Sequence, residues 1–243
     1  MNFIDVIQSP SFWTGLMTII WVNIILSGDN AVVIALAARA LPKEQQGKAV
    51  FWGAGAAVVL RVLLTWFAAA LLKLPYLRIV GGLLLLWIGI NLLIPQDDEE
   101  NIHGHDNLFQ AIRTILIADL VMSVDNVLAV AAAANGDIVL LSIGLVLSIP
   151  LVVFGASMLM KLMQRLPIII TLGAVMIGWV AGAMLVTDPA VAVYMADITA
   201  RLRDIDPMLP LGSEAIGKVL GALLVLVIGK AIAARASRSE AAS

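Results

Sequence analysis

The 243-residue chain contains no cysteine, which excludes disulfides, thiolate metal centres and cysteine nucleophiles together. Charge is scarce as well. Asp, Glu, Lys and Arg make up 13% of the sequence against 61% hydrophobic residues, and the mean hydropathy is +1.02. A soluble domain carries roughly 25% charged residues, so this composition excludes one. Only two histidines occur, both in a polar segment, which disfavours zinc or copper as the primary chemistry. With a net charge of -2 and no basic patch interleaved with aromatics, nothing points to nucleic acid. No hydrophilic stretch exceeds about 30 residues, leaving little room for a separate soluble catalytic domain.

What the sequence has instead is long apolar runs. Crossing a hydrocarbon core of ~30 Å takes 18 or more mostly apolar residues in a helix. Such windows fall at about 11–38, 49–72, 76–94, 109–134, 138–161, 167–187 and 214–234. The expected fold is therefore an all-α membrane protein of seven transmembrane helices. No Lys or Arg precedes the first run, so the first span is expected to be retained rather than cleaved. Arg39, Lys43, Lys48, Arg113, Lys161, Arg165, Lys230, Arg235 and Arg238 all fall on one side of this topology, against Lys73, Arg78, Arg201, Arg203 and Lys218 on the other. Positive charge is retained in short cytoplasmic loops. The expectation is an outside amino terminus, a cytoplasmic carboxyl terminus and residence in the cell (inner) membrane.

One polar cluster occurs twice inside these apolar runs: Asn23-x3-Ser27-Gly28-Asp29-Asn30 in span 1 and Asp119-x3-Ser123-Val124-Asp125-Asn126 in span 4. The duplication extends further, since Leu74-Pro75 before span 3 matches Leu166-Pro167 before span 6, and Gly81 and Trp87 match Gly173 and Trp179. Spans 1–3 and 4–6 are thus two halves of three spans each. An odd number of spans per half makes the second half enter from the opposite face, giving an inverted 3+3 repeat plus one extra C-terminal helix. The expected organisation is 1–94 for the first repeat, 95–108 for an acidic His-containing linker, 109–187 for the second repeat, and 188–243 for a loop and the seventh helix. Inverted repeats of this kind place ion sites near the bilayer midplane in alternating-access transporters.

Ionised acids at the bilayer centre cost ~2.5–3.5 kcal/mol each, so Asp29, Asp119 and Asp125 together are a burden of roughly 8–10 kcal/mol that bound cations or protons must offset. On a helix Asn23, Ser27 and Asn30 share one stripe, as do Asp119, Ser123 and Asn126, while Asp29 and Asp125 sit off its edge. Gly28 permits local unwinding of span 1 and Val124 does not, so the first motif is expected to be the more broken. Carboxylates, carboxamides and hydroxyls form an oxygen-rich set suited to Mg, Ca or Mn. The expected ligands are Asp29, Asn30, Asp125, Asn126, Asp119, Asn23, Ser27 and Ser123.

Arg61, near the middle of span 2, is too central to snorkel. It reads either as a partner that an Asp holds while the site is empty and a cation displaces, or as a fixed salt bridge. The linker Gln96–Asp106 holds His103 and His105 among five acids, which reads as a solvated acidic segment or a metal collector. Gly178-x3-Gly182 and Gly217-x3-Gly221 permit close helix contact, although such spacing arises by chance in a Gly-rich chain. Trp21 and Trp66 lie deep and are expected to pack internally.

No enzyme is expected. Intramembrane aspartyl proteases pair two acids too, but no G-x-G-D motif occurs. An ATP-driven pump is disfavoured because Gly212-x4-Gly217-Lys218 is followed by Val219, not Ser or Thr, and no strand precedes it. No resident cofactor is expected, and the partners foreseen are a divalent ion, protons and the lipid bilayer.

Ser27-Gly28-Asp29-Asn30-Ala31 and Ser123-Val124-Asp125-Asn126-Val127, set in a seven-span hydrophobic chain, resemble the TerC family, grouped with the lysine-exporter-like transporters. The resemblance covers nearly the whole chain. It implies divalent metal export, most often of manganese, with Asp29, Asn30, Asp125 and Asn126 as core ligands and Asn23 and Asp119 as secondary ones. Plant members linked to membrane-protein assembly make a non-transporting helper the alternative, beside Ca transport.

Overall fold

The computed structural model describes residues 10–26, 28–71, 74–94, 104–133, 138–205 and 212–240. Among the described residues the chain is helical throughout: α1 Pro10–Leu26, α2 Gly28–Arg39, α3 Lys43–Leu71, α4 Leu77–Asn91, α5 Gly104–Ala133, α6 Ile138–Arg165, α7 Ile168–Thr187, α8 Pro189–Ile205 and α9 Ser213–Glu240. Every apolar run read from the sequence falls on one of these helices, the first on α1 and α2 together. Among the described residues, four segments are long and apolar enough to cross a membrane: Lys43–Thr65, Ser142–Arg165, Ile168–Thr187 and Ser213–Arg235. Phe12–Val22 and Leu77–Asn91 are apolar but shorter. The acidic linker before Gly104 lies outside the described residues.

The helices form two compact units. One combines residues 1–72 with 105–161, the other residues 73–104 with 162–243. Each half of the sequence repeat therefore gives its first two apolar runs to the first unit and its third to the second.

In the first unit α2 is the central helix. Every residue from Asn30 to Ala38 on it is buried. Leu16, Ile19, Val58, Leu140 and Leu145, from α1, α3 and α6, form an apolar cluster. Two glycines let helices of this unit close in: a Cβ on Gly144 would meet Ile19 of that cluster at 2.5 Å, and one on Gly53 of α3 would meet Ile115 of α5 at 2.8 Å.

The second unit is built around α7. Gly173, Ala174, Gly178, Ala181 and Gly182 are all buried on it. Gly82 of α4 abuts the Ala181 carbonyl, where a Cβ would come to 2.9 Å. Opposite, Gly178 and Gly182 lie directly against Gly217 and Gly221 of α9, backbone on backbone. With lipid as apolar as leucine, such a contact is stabilised by van der Waals packing at close approach rather than by a hydrophobic driving force.

Residues 189–205, expected as loop, are helical, and the reason is local. Asp188 is the N-cap of α8, accepting a hydrogen bond from the Ala190 N–H at 2.8 Å, and Pro189 occupies the first helical position, where its missing N–H costs nothing. The same carboxylate accepts from the N–H groups of Tyr76 (3.0 Å), Arg78 (3.1 Å) and Ile79 (3.3 Å) at the start of α4. Tyr76 stands there with φ 69°, and the Arg78 guanidinium donates to the Thr187 carbonyl at 2.8 Å. One fully buried acid thus caps two helices. Its burial opposes ionisation, but the four N–H donors outweigh that and hold the carboxyl below the usual carboxylate range. The folded value lies below the unfolded one, so this stabilisation is complete above the ordinary Asp range and is lost as the pH falls through the folded value. Asp188→Ala would leave up to four N–H groups unpaired, and is expected to destabilise the protein by about 2–4 kcal/mol near neutral pH. The deficit should shrink as the pH falls below the ordinary Asp range, which thermal unfolding of purified protein between pH 3 and 7 would measure.

Trp21 was expected inside and is 65% exposed. The reason is the solvent: where the surroundings are hydrocarbon, hydrophobicity does not separate inward from outward faces. The side chain of Trp66 lies outside the described residues.

Candidate functional site

The described part of the duplicated motif lies wholly within the first unit. The helix is described up to Leu26 and again from Gly28, and Ser27, where a break in the first motif was expected, lies outside the described residues; α5 runs unbroken through Ser123–Asn126. Asp29, in the first turn of α2, accepts a hydrogen bond on Oδ1 from the Asn30 N–H at 2.9 Å. The charges of Arg61 and Asp119 both act on Asp29.

Arg61 does not stand alone in the bilayer. Its Nη2 donates to Asp119 Oδ1 at 2.5 Å, with the two side chains only 4% and 5% exposed. Its Nε donates to Ser123 Oγ at 3.0 Å, and that hydroxyl donates to Asp119 Oδ2 at 3.1 Å. Asp119 and Ser123 are one turn apart on α5, so a single guanidinium spans the stripe that the sequence marked. The pairing foreseen for Arg61 is therefore present, with Asp119 as the acid.

Beside this triad is a cavity of about 20 Å³, room for one water-sized particle. Asn30, Ala54, Ala57, Arg61 and Asp119 line it, with Ile34, Val58, Ile149 and Val152 closing the apolar side. Asn30 is 3% exposed, and among the described residues neither its Oδ1 nor its Nδ2 has a hydrogen-bond partner. A buried unsatisfied carboxamide costs about 1–3 kcal/mol, and with Arg61 and Asp119 beside it at the polar end of an otherwise apolar cavity, this is the candidate ligand site.

The wall from α6 was not foreseen. Pro150 lies inside that helix, between the lining residues Ile149 and Val152, and removes one backbone hydrogen bond there. A proline interrupting an apolar run in sequence was the available signal.

Of the expected ligands, the structure brings together Asn30, Asp119 and Ser123, with Asp29 in electrostatic reach. Ser27 and the side chains of Asn23, Asp125 and Asn126 lie outside the described residues, as do His103 and the side chain of His105. Among the described residues no three Asp, Glu, His or Cys side chains gather at one point. An ion held here would need oxygens from Asn and Ser, or from Asp125.

Comparison with known proteins gives this arrangement a context. The sequence model of the integral membrane protein TerC family matches residues 8–237. The uncharacterized membrane protein YjbE of Bacillus subtilis is 41% identical over 181 residues, covering 74% of this chain and 83% of its own. YkoY of the same organism, also an uncharacterized membrane protein, is 26% identical over 200 residues, covering 74% of this chain and 62% of its own. The inner membrane protein YoaE of Escherichia coli K12 is 24% identical over 188 residues, 69% of this chain but 36% of that longer protein. No solved structure matches the chain.

Proposed function

Since the chain belongs to the TerC family of integral membrane proteins, we propose that it is a secondary transporter that exports a divalent metal cation, manganese first among the candidates, by alternating access. The observation that carries this reading is the unpartnered, buried Asn30 carboxamide beside a cavity that Asp119 also lines, at matched motifs of a duplicated sequence. Oxygen is the sole donor type these motifs offer, which suits hard cations such as Mn, Ca and Mg.

In this reading seven spans form an inverted 3+3 repeat with an appended seventh helix, in the cell (inner) membrane, with the amino terminus outside and the carboxyl terminus in the cytoplasm. That both halves divide identically between the two units supports a structural repeat. Asp29 and Asp125 supply the charge that neutralises the ion, while Asn30, Asn126 and the Ser oxygens complete its shell. Carboxylates that lose the ion in a low-dielectric site take up protons, so proton antiport accompanies the cycle. No bond is made or broken in a substrate, and the protein is not an enzyme.

The test is cellular metal content in a strain lacking its own manganese exporter. Wild type is expected to lower intracellular Mn severalfold and restore growth in high Mn, whereas Asp29→Asn and Asp125→Asn at matched expression leave Mn as high as in the empty-vector strain. Unchanged Mn with all three would sink export of manganese; unchanged Ca as well would leave a non-transporting assembly role.

A further inference from the structure

Resting on that reading of the site, we propose that Arg61 is a tethered counter-ion, holding Asp119 and Ser123 while no divalent cation is bound and leaving them when one arrives. The argument begins with lone pairs. Arg61 occupies Asp119 Oδ1 and Ser123 Oγ, and Ser123 occupies Asp119 Oδ2, so the polar stripe of α5 is spent on the guanidinium. A divalent ion drawing on the same oxygens would sit against a guanidinium of like charge, and the two exclude each other.

The surroundings favour exchange over a fixed bridge. A bridge kept only for structure is best when its whole environment is satisfied. Here the pair instead borders a cavity into which Asn30 presents an unused amide. An arriving cation thus finds the Asn30 oxygen free and the Asp119 carboxylate one side-chain movement away. Ala54 and Ala57, small residues on the same helix as Arg61, line that space.

Exchange also answers a problem every carrier of this type faces. Once the ion leaves, Asp119 would be a bare carboxylate at 5% exposure in the bilayer, which costs several kcal/mol. A guanidinium cannot lose its proton, so it neutralises Asp119 at any pH. The empty carrier can return with that acid covered, and Arg61 helps to expel the ion it replaces.

Manganese binding and efflux by the full-length chain in proteoliposomes test this, comparing wild type, Arg61→Gln and Asp29→Asn. Arg61→Gln is expected to bind Mn at least ten-fold more tightly than wild type and to release it at least ten-fold more slowly. A fixed structural bridge would leave the affinity of Arg61→Gln unchanged or weaker; that result, with wild type binding and Asp29→Asn failing to bind, overturns the counter-ion and spares the export site. If wild type binds no better than Asp29→Asn, the site reading itself falls and takes this proposal with it. Should Arg61→Gln not fold, Arg61→Lys decides, because an ammonium cannot bridge Asp119 and Ser123 as a fork does. At least three-fold tighter Mn binding is expected; unchanged affinity, or failure of both variants to fold, means a fixed bridge.

Discussion

Gly182→Leu is expected to eliminate folded protein. At this position on α7 a Cβ would be driven into the Gly217 carbonyl of α9, and neither side offers a flexible side chain that could move away. The obstruction is mutual. A Cβ on Gly217 would run into the Gly182 carbonyl, one on Gly221 into the Gly178 carbonyl, and one on Gly178 would stand 2.6 Å from the Gly221 carbonyl. Overpacking an ordinary core costs about 1–3 kcal/mol because side chains yield; separating two helix backbones forfeits the whole contact, and more than about 4 kcal/mol is expected. Gly47→Ala and Gly55→Ala provide the contrast. Nothing lies within 4 Å of a Cβ at either position, and each should gain up to about 1 kcal/mol of helix propensity. Fluorescence-detected size exclusion with a thermal challenge would separate the groups, and a Gly182→Leu protein that elutes and melts like wild type would refute the packing described for α7 and α9.

The second large effect is expected from Asp119→Leu. Removing the acid takes the Asp119 carboxylate away from the Arg61 guanidinium, which is 4% exposed and has no means of discharging. Breaking a buried pair from one side costs about 3–5 kcal/mol, or roughly 6–20 °C in melting temperature for a chain of this length. Arg61→Met combined with Asp119→Leu should recover most of that loss, since an apolar pair of similar volume is often as stable as the buried ion pair it replaces. Arg61→Gln is the milder single change, because the remaining acid can accept a proton or a cation. If the double variant melts as low as Asp119→Leu alone, the two side chains do not form the mutual pair described.

Much of this was legible because hydropathy and length suffice to place helices in a bilayer. The runs at 138–161 and 167–187 became α6 and α7 within a few residues, and the duplicated Ser-x-Asp-Asn led to the α2 and α5 segments that border the cavity. Arg61 announced itself as an unaccompanied charge, and its partner proved to be one of the acids already singled out. The four glycines were a different case. Their spacing is visible in sequence, but which helix faces which is decided by tertiary packing, so Gly178 and Gly182 could not be matched to Gly217 and Gly221 in advance. Asp188 was overlooked although Asp-Pro is a helix-start signal, because hydropathy alone made the stretch between Thr187 and the last apolar run look like connection. Trp21 was misplaced because depth along the membrane normal says nothing about the direction a side chain faces.

The ion pair between α3 and α5 also sets an order of events during synthesis. Arg61 precedes Asp119 by 58 residues, which at a ribosomal rate of 5–20 residues per second is an interval of about 3–12 s. Throughout it the third helix carries a guanidinium whose Asp119 partner has yet to be translated, at an insertion cost of ~2.5–3.5 kcal/mol at mid-bilayer. Nascent α3 is therefore expected to keep Arg61 within reach of water, at the translocon or the lipid headgroups, and to settle to its final depth when α5 emerges.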